Sequence, residues 1–299
     1  TGNRINFSWE MNPEKRLLDL SFTDPWLDAK HTSLTLHFYN NFDAKVAAQD
    51  KDNGSRVWAQ ETLRGWEVTV GRPISRKFTV SLAAEHQYLL REALLEQDPS
   101  PAPAPHLPYL TPAPGITTNS LGLRLEYKDL TPQKAKYVYV ADGIKAKLGA
   151  EFAGGLLGGG TDFNRYKLET AFFKSVAPGD VLALRLMGGF IDVHHDPLET
   201  ARFLIGGAET LRGYDYRAFS ANEMALANLE FRHRFNDNLE GVIFYDAYYS
   251  WGDASAHAAG YGLGLRVWVP YLGQLRFDYG WPVDGSGNGR FYFSLGEVF

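Results

Sequence analysis

The strongest constraint on the fold of this chain is an alternation of apolar and polar residues that recurs along most of its length. In the stretch TSLTLHFYNNF, Leu34, Leu36 and Phe38 would lie on one face of a strand, opposite Ser33 and His37. The same period of two returns in LGLRLEYKD, RYKLETAF and QLRFDYG. Successive side chains of a β-strand point to opposite faces. The chain is therefore predicted to be all-β, with no long amphipathic helix.

Strand length and connection length favour an antiparallel transmembrane β-barrel over a soluble sandwich. Many alternating stretches run for roughly ten residues, which suits a tilted membrane strand. Connections alternate between short and long, as in outer-membrane barrels with short periplasmic turns and longer external loops. The short ones are 24–31, 72–77, 175–180, 235–238 and 270–274; the long ones are 42–63, 91–117, 154–164, 191–221, 250–258 and 282–289. The connection 129–143 breaks this rule because it is long where a short turn is expected, and a soluble β-rich protein is the alternative fold.

About fourteen strands are visible, an even number that would place both chain ends in the periplasm. They lie near 3–11, 16–24, 32–41, 63–72, 76–90, 117–128, 143–153, 164–174, 180–190, 222–235, 239–250, 259–269, 273–281 and 289–299.

Neither the composition nor the motifs indicate a catalytic, metal-binding or nucleic-acid-binding site. The net charge of −5 gives no reason to expect nucleic acid as a partner, and the chain has no cysteine. His194, His195 and Asp196 are adjacent in a loop, whereas metal ligands must converge, so no metal site is predicted. The glycine-rich stretch 154–163 lacks the Gly-Lys-Ser/Thr ending of a phosphate loop, and the proline-rich stretch 98–116 is interpreted as a surface loop. We expect no enzyme activity and no cofactor.

One arginine stands out in the long connection 191–221, within the stretch RFLIGGAETLRGYDYRAF. A guanidinium such as that of Arg212 is expensive to bury without partners. Glu230 and Asp246 fall on the polar faces of the next two strands. If the connection folds back into a barrel lumen, Arg212 can meet both acids. The alternative is an ordinary exposed loop arginine.

The ordered set of motifs resembles the BamA/TamA superfamily of outer-membrane assembly factors, which includes the two-partner secretion transporters. FLIGGAETLRGYDYRAF resembles the family's Gly-Gly and Arg-Gly-aromatic signature, and NLEFRHRF and IFYDAYYSWG resemble the two strands after it. GYGLGLRVWVPYLGQLRFDYGWPV and FYFSLGEVF resemble the last three strands, and LDLSFTDPWL resembles an early one. The likeness covers nearly the whole chain.

The resemblance implies a role for each matching residue. The signature loop, residues 191–221, would be inserted in the lumen, with Arg212 contacting Glu230, Asp246 and the ring of Phe244. Gly206 and Gly207 would let the loop turn, and the lumen latch would also include Gly213 and Tyr214. The C-terminal insertion signal would comprise four residues: Phe291, Phe293, Leu295 and Phe299.

The implied function is the folding and insertion of β-barrel clients into the outer membrane of a diderm bacterium, without ATP and through a weak seam between the first and last strands. Implied partners are the lipid bilayer, unfolded outer-membrane proteins, periplasmic POTRA domains and accessory proteins. A two-partner secretion or TamA-like translocation barrel, and the barrel of a patatin-type surface lipase, are the alternatives within the family. A passive porin is the alternative outside it.

The chain departs from the family pattern in two places. The family barrel has sixteen strands and is preceded by POTRA domains, so residues 1–299 are expected to form one barrel domain of a longer protein or of a shorter variant. Tyr248 stands where the family usually has glycine.

Overall fold

The computed structural model describes residues 2–11, 15–50, 56–97, 109–110, 115–133, 139–197, 199–252, 255–270, 273–285 and 287–295. Its strands in the first part of the chain are β1 (Arg4–Met11), β2 (Lys15–Asp24), β3 (Ser33–Asp50), β4 (Arg56–Pro73), β5 (Phe78–Gln97), β6 (Tyr109–Leu110), β7 (Ile116–Gln133), β8 (Tyr139–Ala153), β9 (Asp162–Ala177) and β10 (Asp180–His195). Those that follow are β11 (Phe203–Ile205), β12 (Phe219–Ala221), β13 (Glu223–Asn236), β14 (Leu239–Trp251), β15 (Ala256–Val269), β16 (Gly273–Pro282) and β17 (Arg290–Leu295). A 3-10 turn spans Gly155–Leu157.

The predicted all-β class is confirmed. In the described residues, fourteen strands follow one another in a single order, β1-β2-β3-β4-β5-β7-β8-β9-β10-β13-β14-β15-β16-β17. Neighbours such as β13 and β14, or β15 and β16, are antiparallel, and hairpin connections join them. In the described part of the chain no helix has the length and apolar character needed to cross a bilayer.

The strands expose their apolar side chains and bury their polar ones, which is the reverse of a sheet in a soluble protein. On β13, the apolar residues Leu229 and Phe231 are 41% and 39% exposed. The polar residues that alternate with them, Asn228 and Glu230, are only 2% and 1% exposed. Strand β14 repeats the pattern, with Ile243 exposed. A large apolar side chain gains nothing from facing water, so an apolar exposed face suits a lipid solvent. Below, the face carrying Glu230 is called the polar face and the opposite one the apolar face.

Some strands are longer than the sequence predicts. The expected long connection 42–63 is mostly the extended β3–β4 hairpin, whose pairing continues from Val46–Ala59 to Gln49–Arg56 after a bulge at Asp43. Strand β7 likewise runs to Gln133 and β8 begins at Tyr139, so most of the exceptional connection 129–143 is strand. Ladder hydrogen bonds continue where the alternation fades, because pairing needs backbone partners and not a hydrophobic pattern. In the proline-rich stretch, Tyr109–Leu110 pair with Gln49–Asp50, while 98–108 and 111–114 lie outside the described residues.

The contacts divide the chain into two compact units. The first consists of Thr1–Glu126, Leu148–Tyr166 and Ile191–Arg202, and the second of Tyr127–Lys147, Lys167–Phe190 and Phe203–Phe299. The second unit contains β11–β17 and every residue of the predicted arginine site.

A small hairpin that the sequence does not reveal lies within the connection 191–221. Strands β11 and β12 pair antiparallel, with Phe203 opposite Ala221 and Ile205 opposite Phe219. Each has only three residues, too few for a period of two to be recognised.

Ile243→Arg should destabilise the folded chain in lipid vesicles by about 2–4 kcal/mol, because the arginine would lie on the apolar face near the middle of β14. Urea unfolding of the vesicle-reconstituted protein measures the difference. Asn238→Arg, which adds the same charge at the exposed β13–β14 turn, is the matched control and should change stability little. Equal stability of the two variants would show that this face does not meet lipid.

Candidate functional site

Residues 203–221, here called the docked segment, lie against the polar face of the second unit. The main-chain N–H of Gly213 donates to Tyr292 Oη at 2.9 Å, and Tyr214 Oη donates to the carbonyl of Ala259 at 3.3 Å. Within the segment Ile205 and Leu211 are 1% and 0% exposed. Contacts in the middle of the docked segment, at Gly213 and Tyr214, therefore hold it against the sheet.

Two glycines make the turn that returns the segment toward β12. Gly206 and Gly207 have φ angles of 131° and 90°, a region that favours glycine. A Cβ at Gly206 would collide with the carbonyl of Asp215. The N–H of Gly206 donates to Thr210 Oγ1 at 2.8 Å, which stabilises the turn.

Arg212 is buried at the centre of the site, with 2% of its surface exposed. Its Nε and Nη2 donate to Asp246 Oδ2 and Oδ1, both at 2.8 Å, and its Nη1 donates to Glu230 Oε1 at 2.7 Å. The main-chain N–H of Arg212 also donates to Asp246 Oδ2 at 3.0 Å. One bidentate and one single charge-assisted bond thus connect the segment to β13 and β14.

The surroundings of Arg212 favour its charged form. Burial by itself lowers the pKa of the guanidinium, but the carboxylates of Glu230 and Asp246 outweigh burial and raise that pKa above its usual value. The Arg212 Cζ lies 3.5 Å from the centroid of the Phe244 ring, so a ring face covers the ion pair. The structure brings together Arg212, Glu230, Asp246 and Phe244, the set named from the sequence.

The acidic partners of Arg212 belong to a larger network that sequence reasoning missed. Asp278 Oδ1 lies 3.8 Å from Arg212 Nη1 and accepts from Arg266 Nη1 at 2.7 Å, while its Oδ2 accepts from Arg276 at 3.0 Å. Arg266 and Arg276 are directly paired across β15 and β16. Like charges facing each other in a buried place need an acid between them. The sequence pattern could have revealed this network, because the alternation in LRV and in RFD puts Arg266, Arg276 and Asp278 on the polar face.

Main-chain groups of the segment have further partners. Asn228 Nδ2 donates to Thr210 O at 2.7 Å and to Asp246 Oδ1 at 2.8 Å. Arg185 Nη1 donates to the carbonyl of Glu209 at 2.7 Å. These bonds satisfy carbonyls that burial would otherwise leave unpaired.

Strand β17 also holds the docked segment, through two residues that were not predicted from the sequence. Tyr292 Oη accepts from Gly213 and donates to the carbonyl of Tyr214 at 2.7 Å. Arg290 donates to both carboxylate oxygens of Asp215 at 2.7 and 2.8 Å, and to the carbonyl of Gly213 at 2.8 Å. Tyr292 stands opposite the exposed Phe291 and Phe293 in the alternation, which is the only local hint of its role.

Alternating glycines on β15 and β16 leave room for the segment. A Cβ at Gly260 would collide with the carbonyl of Arg212, and one at Gly280 would lie 2.8 Å from the N of Gly213. A Cβ at Gly264 would collide with Asp278 Oδ1. The docked segment can approach the sheet this closely because these positions have no side chain.

Tyr248 fills space beneath the segment. It is 3% exposed and its ring centroid lies 5.2 Å from that of Phe219, which in turn lies 5.3 Å from Tyr214. The aromatic side chain at the position where the family usually has glycine is therefore packed against the docked segment.

Comparison with known proteins decides the family. The Omp85 superfamily domain matches residues 1–299. The chain belongs to the Omp85 superfamily. Proteins of this superfamily are integral β-barrel proteins of the bacterial outer membrane, and the resemblance, the fold class and the localisation predicted from the sequence are confirmed.

A curated relative carries a functional name. The Omp85 chain is 32% identical over 200 residues to the outer membrane protein assembly factor BamA of Nitratidesulfovibrio vulgaris. The alignment covers 58% of this chain and 24% of the relative, so the chain spans about a quarter of that protein's length.

Solved structures with the same fold include BamA from Haemophilus ducreyi lacking POTRA domains 1–3, with a TM-score of 0.69 and 14% identity over 98% of this chain and 63% of that one. CdiB from Acinetobacter baumannii has a TM-score of 0.61 and 15% identity, covering 93% of this chain and 49% of that one. At these identities the likeness concerns the fold.

The remaining predicted residues lie elsewhere. Phe291 and Phe293 are 63% and 56% exposed on the apolar face of β17, which ends at Leu295. Phe299 lies outside the described residues. His194 lies 3.4 Å from Asp162 and 3.7 Å from Asp192, and the described part of the chain holds no cluster of three or more potential metal ligands.

Arg212→Ala should destabilise the protein by about 3–5 kcal/mol, because it leaves Asp246 buried without its cation and removes one of the cations beside Glu230. Lys174→Gln is the control: it removes an exposed ion pair with Asp142, which lies in the same unit but does not involve the docked segment and should contribute little. Urea unfolding in vesicles measures both. Chymotrypsin cleavage at the exposed Tyr216 should accelerate far more in Arg212→Ala; equal effects of the two variants would contradict a central role for Arg212.

Gly260→Ala should displace the docked segment, because the added methyl group would overlap the Arg212 carbonyl. We expect a loss of about 1–3 kcal/mol and faster cleavage at Tyr216. Gly188→Ala, on β10 of the same unit, is the control, since its Cβ would meet only the Met224 carbonyl at 4.0 Å. A Gly260→Ala protein as stable and as protected as Gly188→Ala would refute the close approach.

Proposed function

We propose that this chain is the membrane barrel of an outer-membrane assembly factor that folds and inserts β-barrel clients without ATP. At family level it is an Omp85 barrel of the kind that assembles or translocates proteins. The finer assignment is supported by the 32% identity to a protein named as an assembly factor. No covalent step is part of the proposal.

The observation that carries the proposal is the buried ion pair that fixes the docked segment over the polar face. A porin needs a polar lumen open to water. Here the residues that would line such a channel, Glu230, Asp246 and Asp278, are 0–1% exposed and engaged with arginines. Residues 191–195 of the predicted lumen loop 191–221 belong instead to strand β10. We infer that residues 203–221 lie in the lumen and that Arg212, Gly213, Tyr214, Glu230, Phe244 and Asp246 form a latch.

The docked segment gives β17, at the end of the strand order, an attachment besides its pairing with β16. The described part of strand β17 has six residues, and its partner in the order is β16. Tyr292 and Arg290 tie β17 to the docked segment through side-chain bonds. A seam at the first and last strands could then loosen for a client without β17 leaving the domain. The thinning of the bilayer beside the seam would lower the cost of insertion.

Partners follow from this assignment. The bilayer contacts the apolar face, unfolded outer-membrane proteins are the clients, and Phe291, Phe293, Leu295 and Phe299 form the signal by which the barrel itself is inserted. POTRA domains and accessory proteins would act from the periplasm.

A translocation barrel of the two-partner secretion or TamA type is the second candidate, and the likeness to CdiB favours it over the lipase barrel. Such a protein would export an extended partner through the lumen. The docked segment would then have to move aside, so Arg212 would act as a reversible closure.

The test reconstitutes the full-length protein in lipid vesicles and follows the folding of a urea-denatured β-barrel client by its heat-resistant migration in gels. The wild type should accelerate folding, and Tyr292→Phe, which removes the hydroxyl between Gly213 and Tyr214, should slow it about ten-fold. Its own heat-modifiable migration shows that the variant is folded.

Tyr245→Phe, which removes a hydroxyl group from the exposed apolar face of β14, is the control and should keep wild-type activity. Export of an extended partner without acceleration of client folding would identify a secretion barrel. A large, stable conductance unaffected by Tyr292→Phe would identify a porin and refute the proposal.

A further inference from the structure

A groove of about 600 Å³ opens on the apolar face of the first unit, over β1–β5. Large apolar side chains form its walls, with exposed fractions of 40–63%: Phe7, Leu18, Leu20, Phe38 and Trp66. These residues are brought together by strand register, since Phe7 pairs with Leu20, Leu20 with Phe38 and Phe38 with Trp66. The groove is wide and apolar enough to take acyl chains.

One end of the groove is polar and cationic. Asn40 pairs with Arg64, and Arg64 with Tyr88, in one row across β3–β5. Arg16 lies on the same face of β2, opposite Phe42 in the next row. Each exposed guanidinium is stacked on a ring: Arg64 Cζ lies 4.6 Å from the Tyr88 centroid, and Arg16 Cζ lies 4.9 Å from that of Phe42.

These two arginines differ from the arginines of the polar face in the same unit. Arg91, Arg124 and Arg165 each donate to a glutamate, namely Glu61, Glu67 and Glu151. Within the described residues, no carboxylate lies in ion-pair range of Arg16 or Arg64. Each of the two guanidiniums instead lies over an aromatic ring. Such a pair of restrained cations suits an external anion.

The position of Arg64 along β4 matches the edge of a bilayer. Trp66, Val68 and Val70 follow it on the apolar face, and the exposed Arg72 ends this stretch beside the short β4–β5 turn. Eight residues of strand span about 26 Å, or about 20 Å along the normal of a tilted barrel. The apolar band of an outer-membrane barrel is about 25 Å tall. Arg64 and Arg72, about 20 Å apart along this normal, would lie just inside the two edges of the band, from where arginine side chains extend to the headgroups.

We propose that this groove binds an anionic phospholipid, with acyl chains against Phe7, Phe38 and Trp66 and the phosphate on Arg64, while Arg16 adds positive charge at the same end. A protein strand could not add here by backbone pairing, because β2, β3 and β4 are already paired on both sides. The lipid site is independent of the latch around Arg212.

Native mass spectrometry of the full chain tests the site. The protein is refolded in vesicles of equal parts phosphatidylglycerol and phosphatidylcholine, extracted in mild detergent, and the retained lipid is identified. The wild type should retain phosphatidylglycerol in preference. Arg16→Gln with Arg64→Gln should reduce that retention by about five- to thirty-fold, given the contribution of each arginine near an anionic headgroup, and should leave phosphatidylcholine retention unchanged.

Two variants separate the charge from the fold. Arg16→Lys with Arg64→Lys keeps both charges and should keep most of the preference. Arg72→Gln, on the same face of β4 at the opposite end of the band, should behave as the wild type. Heat-modifiable migration confirms that each variant is folded.

Three results would overturn the proposal. The first is equal retention of the two lipids by the wild type, which would indicate an apolar surface only. The second is an undiminished preference in the double glutamine variant. The third is displacement of bound phosphatidylglycerol by inorganic phosphate alone, which would indicate a site for the free anion rather than for a lipid.

Discussion

A buried guanidinium is the interaction on which the second unit depends. Isolated in a low-dielectric place, Arg212 would be strongly destabilising, so its position is tolerable only where carboxylates meet it with good geometry. Asp246 supplies a bidentate partner and Glu230 a single one, each at 2.7–2.8 Å. This requirement fixes the register of β13 against β14, the absence of side chains at Gly260 and Gly280, and the tight turn at Gly206. The docked segment is held in place because each of these conditions is met together.

Arginines on the two faces of the sheet have different partners. On the polar face, arginines are buried and each needs an acid, so Asp278 lies between Arg266 and Arg276 and Glu230 also accepts from Arg232 at 2.8 Å. On the apolar face, Arg16 and Arg64 are exposed and stack on rings instead. A neutralised cation contributes to rigidity, whereas a restrained cation without an acid can bind an anion from outside. The proposed latch and the proposed lipid site follow from this difference.

Assembly of a membrane barrel requires a domain that can open at one place without unfolding. The contacts of Tyr292 and Arg290 give β17 a second attachment besides its ladder with β16. The proposed lipid site lies on β1–β5, so the two proposals act on different parts of the strand order and can be tested separately. Membership of the Omp85 superfamily agrees with both proposals.

The sequence by itself predicted most of the strands, their faces and two of the acids that meet Arg212, because period-two alternation is a local property that each strand expresses independently. Leu229 and Glu230 could be assigned to opposite faces without knowing any neighbour. The polar alternation then left Glu230 and Asp246 as the acids on the two strands that follow the docked segment. Only the tertiary structure decided which distant groups meet: Asp278 beside Arg212, Tyr292 on Gly213, Gly260 beneath the Arg212 carbonyl, and Arg64 at the rim of a groove. Those contacts depend on register between strands that are far apart in the chain, and on the path of a segment whose hairpin is too short to leave a pattern.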